Sequence, residues 1–93
     1  MTPEGKVKAR VKKVLETYKA YYHMPVQNGM GAPSLDFTGS HLGRYFAIET
    51  KASSKQMTDR QTNTAKQMRN AGGKVFLINE VTGTEELERW LDG

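Results

Sequence analysis

Asp36, Glu49 and Lys51 are the residues in this chain whose types and spacing suit a shared chemistry. Residues 44–51 alternate as a strand does, with Phe46, Ile48 and Thr50 on one face and Tyr45, Ala47, Glu49 and Lys51 on the other. Glu49 and Lys51 therefore point the same way, about 6.6 Å apart along the strand. A shorter strand is predicted over residues 34–37, where Leu35 and Phe37 supply an apolar face and leave Asp36 on the opposite side. If the two strands pair as a hairpin, Asp36 and Glu49 converge. Two carboxylates held together repel, and burial raises the cost, unless a proton or a cation resolves the conflict. Magnesium is typically held by one or two carboxylates with water and substrate phosphate. A lysine beside such an ion can steady charge growing on a phosphoryl group or orient a water. An acid and a lysine two apart on a strand are most often an inconsequential surface pair. The longer pattern Asp-x(12)-Glu-x-Lys, spread over two strands, preceded by a glycine loop and followed by a helix, is far more specific.

The elements that must carry these residues are legible in the hydrophobic periodicity. Val7, Val11, Val14, Leu15 and Tyr18 stand at helical spacing, so a helix is predicted from Thr2 to about Lys19, with Thr2 as N-cap and Pro3 as its first residue. Residues 21–26 read as a first strand whose Pro25 suits an end or an edge. The two glycines and proline of residues 27–33 predict a turn, and a short glycine-containing loop joins the second strand to the third. A polar bridge over 52–57 leads to Thr58-Asp59-Arg60-Gln61, which has the form of a capping box, and Gly72-Gly73 ends the helix it opens. Residues 74–78 form a β-rich run, and residues 82–91 a last helix turning Leu87, Trp90 and Leu91 inward. The predicted order is αβββαβα.

At 93 residues the chain fits one small domain spanning residues 1–93. No apolar run approaches a membrane span and no signal-peptide pattern opens the sequence, so a cytosolic protein without a membrane partner is expected. The absence of cysteine excludes disulfides, thiolate zinc sites and cysteine nucleophiles. Any metal must then be held by oxygen or imidazole, which favours Mg2+ or Mn2+. A net charge of +4 suits a polyanionic partner, and the first helix alone holds Lys6, Lys8, Arg10, Lys12, Lys13 and Lys19. The ordinary alternative for that cluster is a solvated helix face.

With these residues placed, the chain resembles the PD-(D/E)XK nuclease superfamily, and within it the virus-type replication-repair nuclease (VRR-NUC) domains. The stretches that carry the likeness are Thr2-Pro3-Glu4, Gln27-Asn28-Gly29-Met30-Gly31, Ser34-Leu35-Asp36-Phe37, Phe46-Ala47-Ile48-Glu49-Thr50-Lys51, Thr58-Asp59-Arg60-Gln61 and Ala71-Gly72-Gly73. The resemblance implies a restriction-endonuclease-like α/β core with a central mixed sheet flanked by helices. It implies that Asp36, Glu49 and the backbone carbonyl of Thr50 bind the metal, that Lys51 is catalytic, and that Glu4 and Gln61 support the site. It further implies a metal-dependent endonuclease that hydrolyses DNA phosphodiesters as a homodimer, with branched or four-way-junction DNA as substrate. One departure stands out: Pro33 lies three residues before Asp36, so no Pro-Asp pair exists. The rival from another class is a non-catalytic nucleic-acid-binding module of the same fold.

Other candidates have competing roles. Glu4, Val7 and Val11 share the buried stripe of the first helix, which turns Glu4 toward the sheet, although a first-turn carboxylate also favours the helix dipole. Gln61 either completes its capping box or serves the site. Lys55 and Arg60, around the second helix, are the candidate nucleic-acid contacts, whereas Lys66 and Arg69 suit a wet face equally well. His23 among aromatic neighbours reads as structural, and His41 as an exposed loop residue.

Overall fold

The computed structural model describes residues 1–26 and 33–93. Its order is α1 (Pro3–Thr17), β1 (Tyr21–His23), β2 (Phe37–His41), β3 (Arg44–Thr50), α2 (Asp59–Asn70), β4 (Lys74–Ile78) and α3 (Glu85–Asp92). The strands form one mixed sheet in the order β1-β2-β3-β4, antiparallel except for the β3–β4 pair. That parallel pair requires a crossover, which α2 supplies. No helix among the described residues is long and apolar enough to cross a membrane. The protein is thus α/β, with three helices around a four-stranded sheet.

The alternation of β3 divides the core in two. Phe46 and Ile48 join Phe37, Phe76 and Ile78 against Val7, Val11, Val14 and Leu15 of α1 and Leu87 and Leu91 of α3. On the other face Ala47 and Val75 meet Leu35 and Ala65, with Met57 and Met68 alongside. The small residues there let α2 approach closely, and the larger rings fill the α1–α3 side. Glu49 shares the α2 face with Ala47, so the strand that builds the core also carries the acid into it.

Helix ends follow their sequence signals. The Thr2 hydroxyl accepts from the Gly5 N–H ahead of Pro3, and both arms of the Thr58–Gln61 capping box form. At the far end of α3, Arg44 donates to the Trp90 carbonyl at 3.0 Å and its guanidinium lies 4.2 Å over the Trp90 ring. The His41 Nε2 pairs with the Leu91 carbonyl at 3.0 Å. Two carbonyls that a helix end leaves without partners are thereby satisfied. His41 is consequently a tie between β2 and α3, not the exposed loop residue expected.

Several boundaries differ from the sequence reading. The first strand ends at His23 instead of reaching residue 26, and α3 begins at Glu85, three residues after the expected start at 82. Most of the turn expected over 27–33 falls at residues 27–32, outside the described residues. The largest change is in β2, which runs over Phe37–His41 and not over 34–37. Thr38-Gly39-Ser40 read as loop, but Gly39 is where β1 crosses closely: a Cβ there would lie 2.0 Å from the Tyr21 carbonyl oxygen and 2.9 Å from Phe46 Cζ. The hairpin turn is instead Leu42-Gly43, with φ of 52° and 82°, the paired positive values of a two-residue type I′ turn.

Candidate metal centre

Because β2 starts at Phe37, the neighbouring edge of β3 runs on past it, and the backbone N–H of Thr50 has no ladder carbonyl on that side. The Asp36 carboxylate takes that place. Its Oδ2 accepts from the Thr50 N–H at 3.0 Å and from the Thr50 hydroxyl at 2.7 Å. The Asp36 N–H in turn donates to Glu49 Oε1 at 3.3 Å. Asp36 and Glu49 are thus brought together at the end of β2, by a route the sequence did not suggest. Leu35 and Phe37 do not share a face: Leu35 packs toward α2 and Phe37 toward α1 and α3. The bend at Asp36 breaks the strand alternation, so its side chain turns along the strand end.

Glu49 is 2 % exposed and sits among fixed partners. Its Oε2 accepts from Gln61 Nε2 at 2.8 Å and lies 3.9 Å from Lys51 Nζ. Gln61 makes two contacts at once: its Oε1 accepts from the Thr58 N–H, completing the capping box, and its amide nitrogen donates to Glu49. The capping box orients the amide, and the amide orients the acid. Lys51 is pinned through its backbone N–H to the Ile78 carbonyl at 3.0 Å. The bridge that follows is fastened where the Ser53 N–H donates to the Glu80 carboxylate.

Burial pushes the Glu49 pKa up to about 7, and the nearby Asp36 charge adds to the rise; Lys51 and the Asp36 N–H oppose it. Removing a carboxylate from water disfavours its charged form, and a second negative charge nearby disfavours it further. The sign of the consequence is definite. With a native pKa above the unfolded value, the folded state binds more protons between pH 4.5 and 7, so stability falls as pH rises through that window. A shift of this size corresponds to roughly 3 kcal/mol. Urea unfolding of the metal-free protein is therefore expected to give lower stability at pH 8 than at pH 5, with Glu49→Gln flattening the slope. Glu80, whose pKa is lowered by its bonds to Ser53, acts only below that window. A rise in stability from pH 5 to 8 would contradict this account of Glu49.

The remaining candidates divide into near and far. Glu4 is not on a buried stripe: its side chain is 38 % exposed and pairs with Lys8 at 3.6 Å, although its charge also adds to the rise at Glu49. Among the described residues no three acidic, histidine or cysteine side chains converge to hold a metal, and Asp36 and Glu49 are the acidic pair that meets at the end of β2. Lys55 and Arg60 are exposed, with Arg60 in the first turn of α2 beside Gln61. His23 lies on β1 with Thr38 Oγ1 at 3.3 Å from its ring. Lys8, whose ammonium reaches Asp36 Oδ1 at 3.9 Å, is the group sequence reasoning missed; its i, i+4 spacing from Glu4 was the signal. No protein-family model matches the chain, and no curated protein matches it.

Proposed function

We propose that the chain is a metal-dependent DNA endonuclease of the PD-(D/E)XK kind, similar to the VRR-NUC domains, with a restriction-endonuclease-like core. The observation that carries this reading is the joining of Asp36, Glu49 and Lys51 at the end of β2, where Glu49 is buried beside a second carboxylate. The donor set is hard oxygen, which fits Mg2+ or Mn2+. Asp36 Oδ1 and the Glu49 carboxylate would hold the ion, with the Thr50 carbonyl as the backbone ligand. Such an ion, when bound, would supply Lewis-acid polarisation of the scissile phosphate and a more acidic water.

The protein's own residues do the rest. Gln61 fixes the rotamer of Glu49, and the Thr50 N–H and hydroxyl fix that of Asp36, so neither acid has to be ordered on binding. Lys51 is held on the strand beside Glu49, where its ammonium donates to a non-bridging phosphoryl oxygen or orients the attacking water. Glu4 supports the site from α1, and Lys55 and Arg60 contact backbone phosphates.

A domain of this size offers little surface for a duplex, since specific complexes commonly bury on the order of 1,000 Å² or more of protein. A homodimer with two facing sites answers that need and would cut branched DNA symmetrically. The test is cleavage of supercoiled and four-way-junction DNA with Mg2+, Mn2+ or EDTA. Metal-dependent cleavage supports the proposal. Salt-sensitive binding that persists in EDTA, without cleavage in either metal, selects the non-catalytic module instead.

A further inference from the structure

The two oxygens of Asp36 have different neighbours. Oδ2 is engaged twice by Thr50, whereas the group approaching Oδ1 among the described residues is the Lys8 ammonium, 3.9 Å away. Lys8 also touches Glu4 at 3.6 Å, one helical turn back on α1, so a single cation bridges two acids at the mouth of the centre. The oxygen left free for a metal is thus the one a lysine already faces. An ammonium and a divalent cation cannot crowd one carboxylate oxygen without strong repulsion.

Lys8 also has somewhere else to go. Its side chain is 34 % exposed on a flexible stem, and it lines an open groove of about 470 Å³ along α1 with Gly5, Ala9, Lys12, Lys13, Glu16 and Met24. Three lysines outweigh the single acid Glu16 there, and the small side chains of Gly5 and Ala9 leave room, which suits the sugar–phosphate backbone of a nucleic-acid strand. We infer that the Lys8 ammonium is the built-in occupant of the free oxygen of Asp36, yielding it to a divalent cation when a nucleic-acid phosphate draws the ammonium into the α1 groove. This rests on the metal-dependent reading above and adds to it a coupling: the free protein holds metal weakly, and DNA strengthens that hold. Lys8 is a positioning residue, acting through Asp36.

The sign of one measurement separates this role from a merely structural one. A lysine that only braced the site would, when removed, leave metal binding unchanged or weaken it; a competitor's removal tightens it. Calorimetric titration of the metal-free protein with Mn2+ alone is expected to show Lys8→Gln binding about fivefold more tightly than the wild type, the size of an exposed ion pair worth ~1 kcal/mol. Lys8→Arg, which keeps the charge, should resemble the wild type. Lys19→Gln, which removes a distant charge beyond the far end of α1, should also leave the affinity unchanged. Equal or weaker Mn2+ binding by Lys8→Gln, with binding by the wild type intact, overturns the competitor role and leaves the nuclease proposal standing. Failure of both proteins to bind Mn2+ at millimolar concentration overturns the metal reading itself.

Discussion

Replacing Lys51 by alanine is expected to lower phosphodiester cleavage by ~10²–10³-fold, the usual loss when a donor aimed at developing transition-state charge is removed. The side chain is 15 % exposed and its ammonium lies 3.9 Å from Glu49 Oε2, so it stands where charge on a phosphoryl group bound beside that acid would grow. Truncation also removes one of the influences that lower the Glu49 pKa, leaving that acid more reluctant to ionise. The fold should persist, because the backbone N–H that ties this residue to Ile78 is untouched. The check is single-turnover cleavage with Mg2+ beside circular dichroism and thermal unfolding of the same preparation. Turnover within a few-fold of the wild type would remove Lys51 from the chemistry.

Asp36 is the residue whose loss should damage both fold and function, and two substitutions separate the effects. In Asp36→Ala the Thr50 N–H and hydroxyl, on a residue with no exposure, lose their acceptor. Leaving buried donors unsatisfied costs ~1–3 kcal/mol each, so with two such donors a destabilisation of about 2–6 kcal/mol is expected. That is a large share of the roughly 5–15 kcal/mol available to a small domain. Asp36→Asn keeps an oxygen that can accept from Thr50 but loses the charge, so its unfolding midpoint in urea should lie much nearer the wild type. Metal binding and cleavage should vanish in both. If asparagine proved as destabilising as alanine, the carboxylate's charge would be holding the strand end; if alanine were neutral, the strand-end role given to Asp36 would be wrong.

The parts of the candidate centre that were legible in the sequence are those that regular secondary structure places. Glu49 and Lys51 lie on a regular strand, where a period of two fixes their common face, and the element order αβββαβα follows from periodicity and capping signals. The Thr58–Gln61 box was equally plain, and the same side chain also reaches Glu49, because an amide has two ends. Asp36 was placed near Glu49 for a mistaken reason. A bend sets Leu35 and Phe37 on opposite faces, and no local pattern announces a bend that exists to feed a carboxylate to the end of the neighbouring strand.

Long-range partnerships were the least legible. Thr38-Gly39-Ser40 has loop chemistry, yet it forms a strand because the missing side chain of Gly39 admits β1 and the neighbouring Phe46 ring. His41 finds its partner at Leu91, fifty positions away, and Lys8 reaches Asp36 across the gap between α1 and the sheet. Such contacts depend on tertiary placement, which neither propensity nor spacing encodes.

The central claim is that Asp36 and Glu49 together hold a divalent ion. Anomalous diffraction from crystals grown with Mn2+ locates that ion directly. A peak within about 2.3 Å of one oxygen from each carboxylate, with the Lys8 ammonium moved away, is the expected result. Well-ordered carboxylates with no peak between them at millimolar Mn2+, or a peak elsewhere on the surface, would contradict the account.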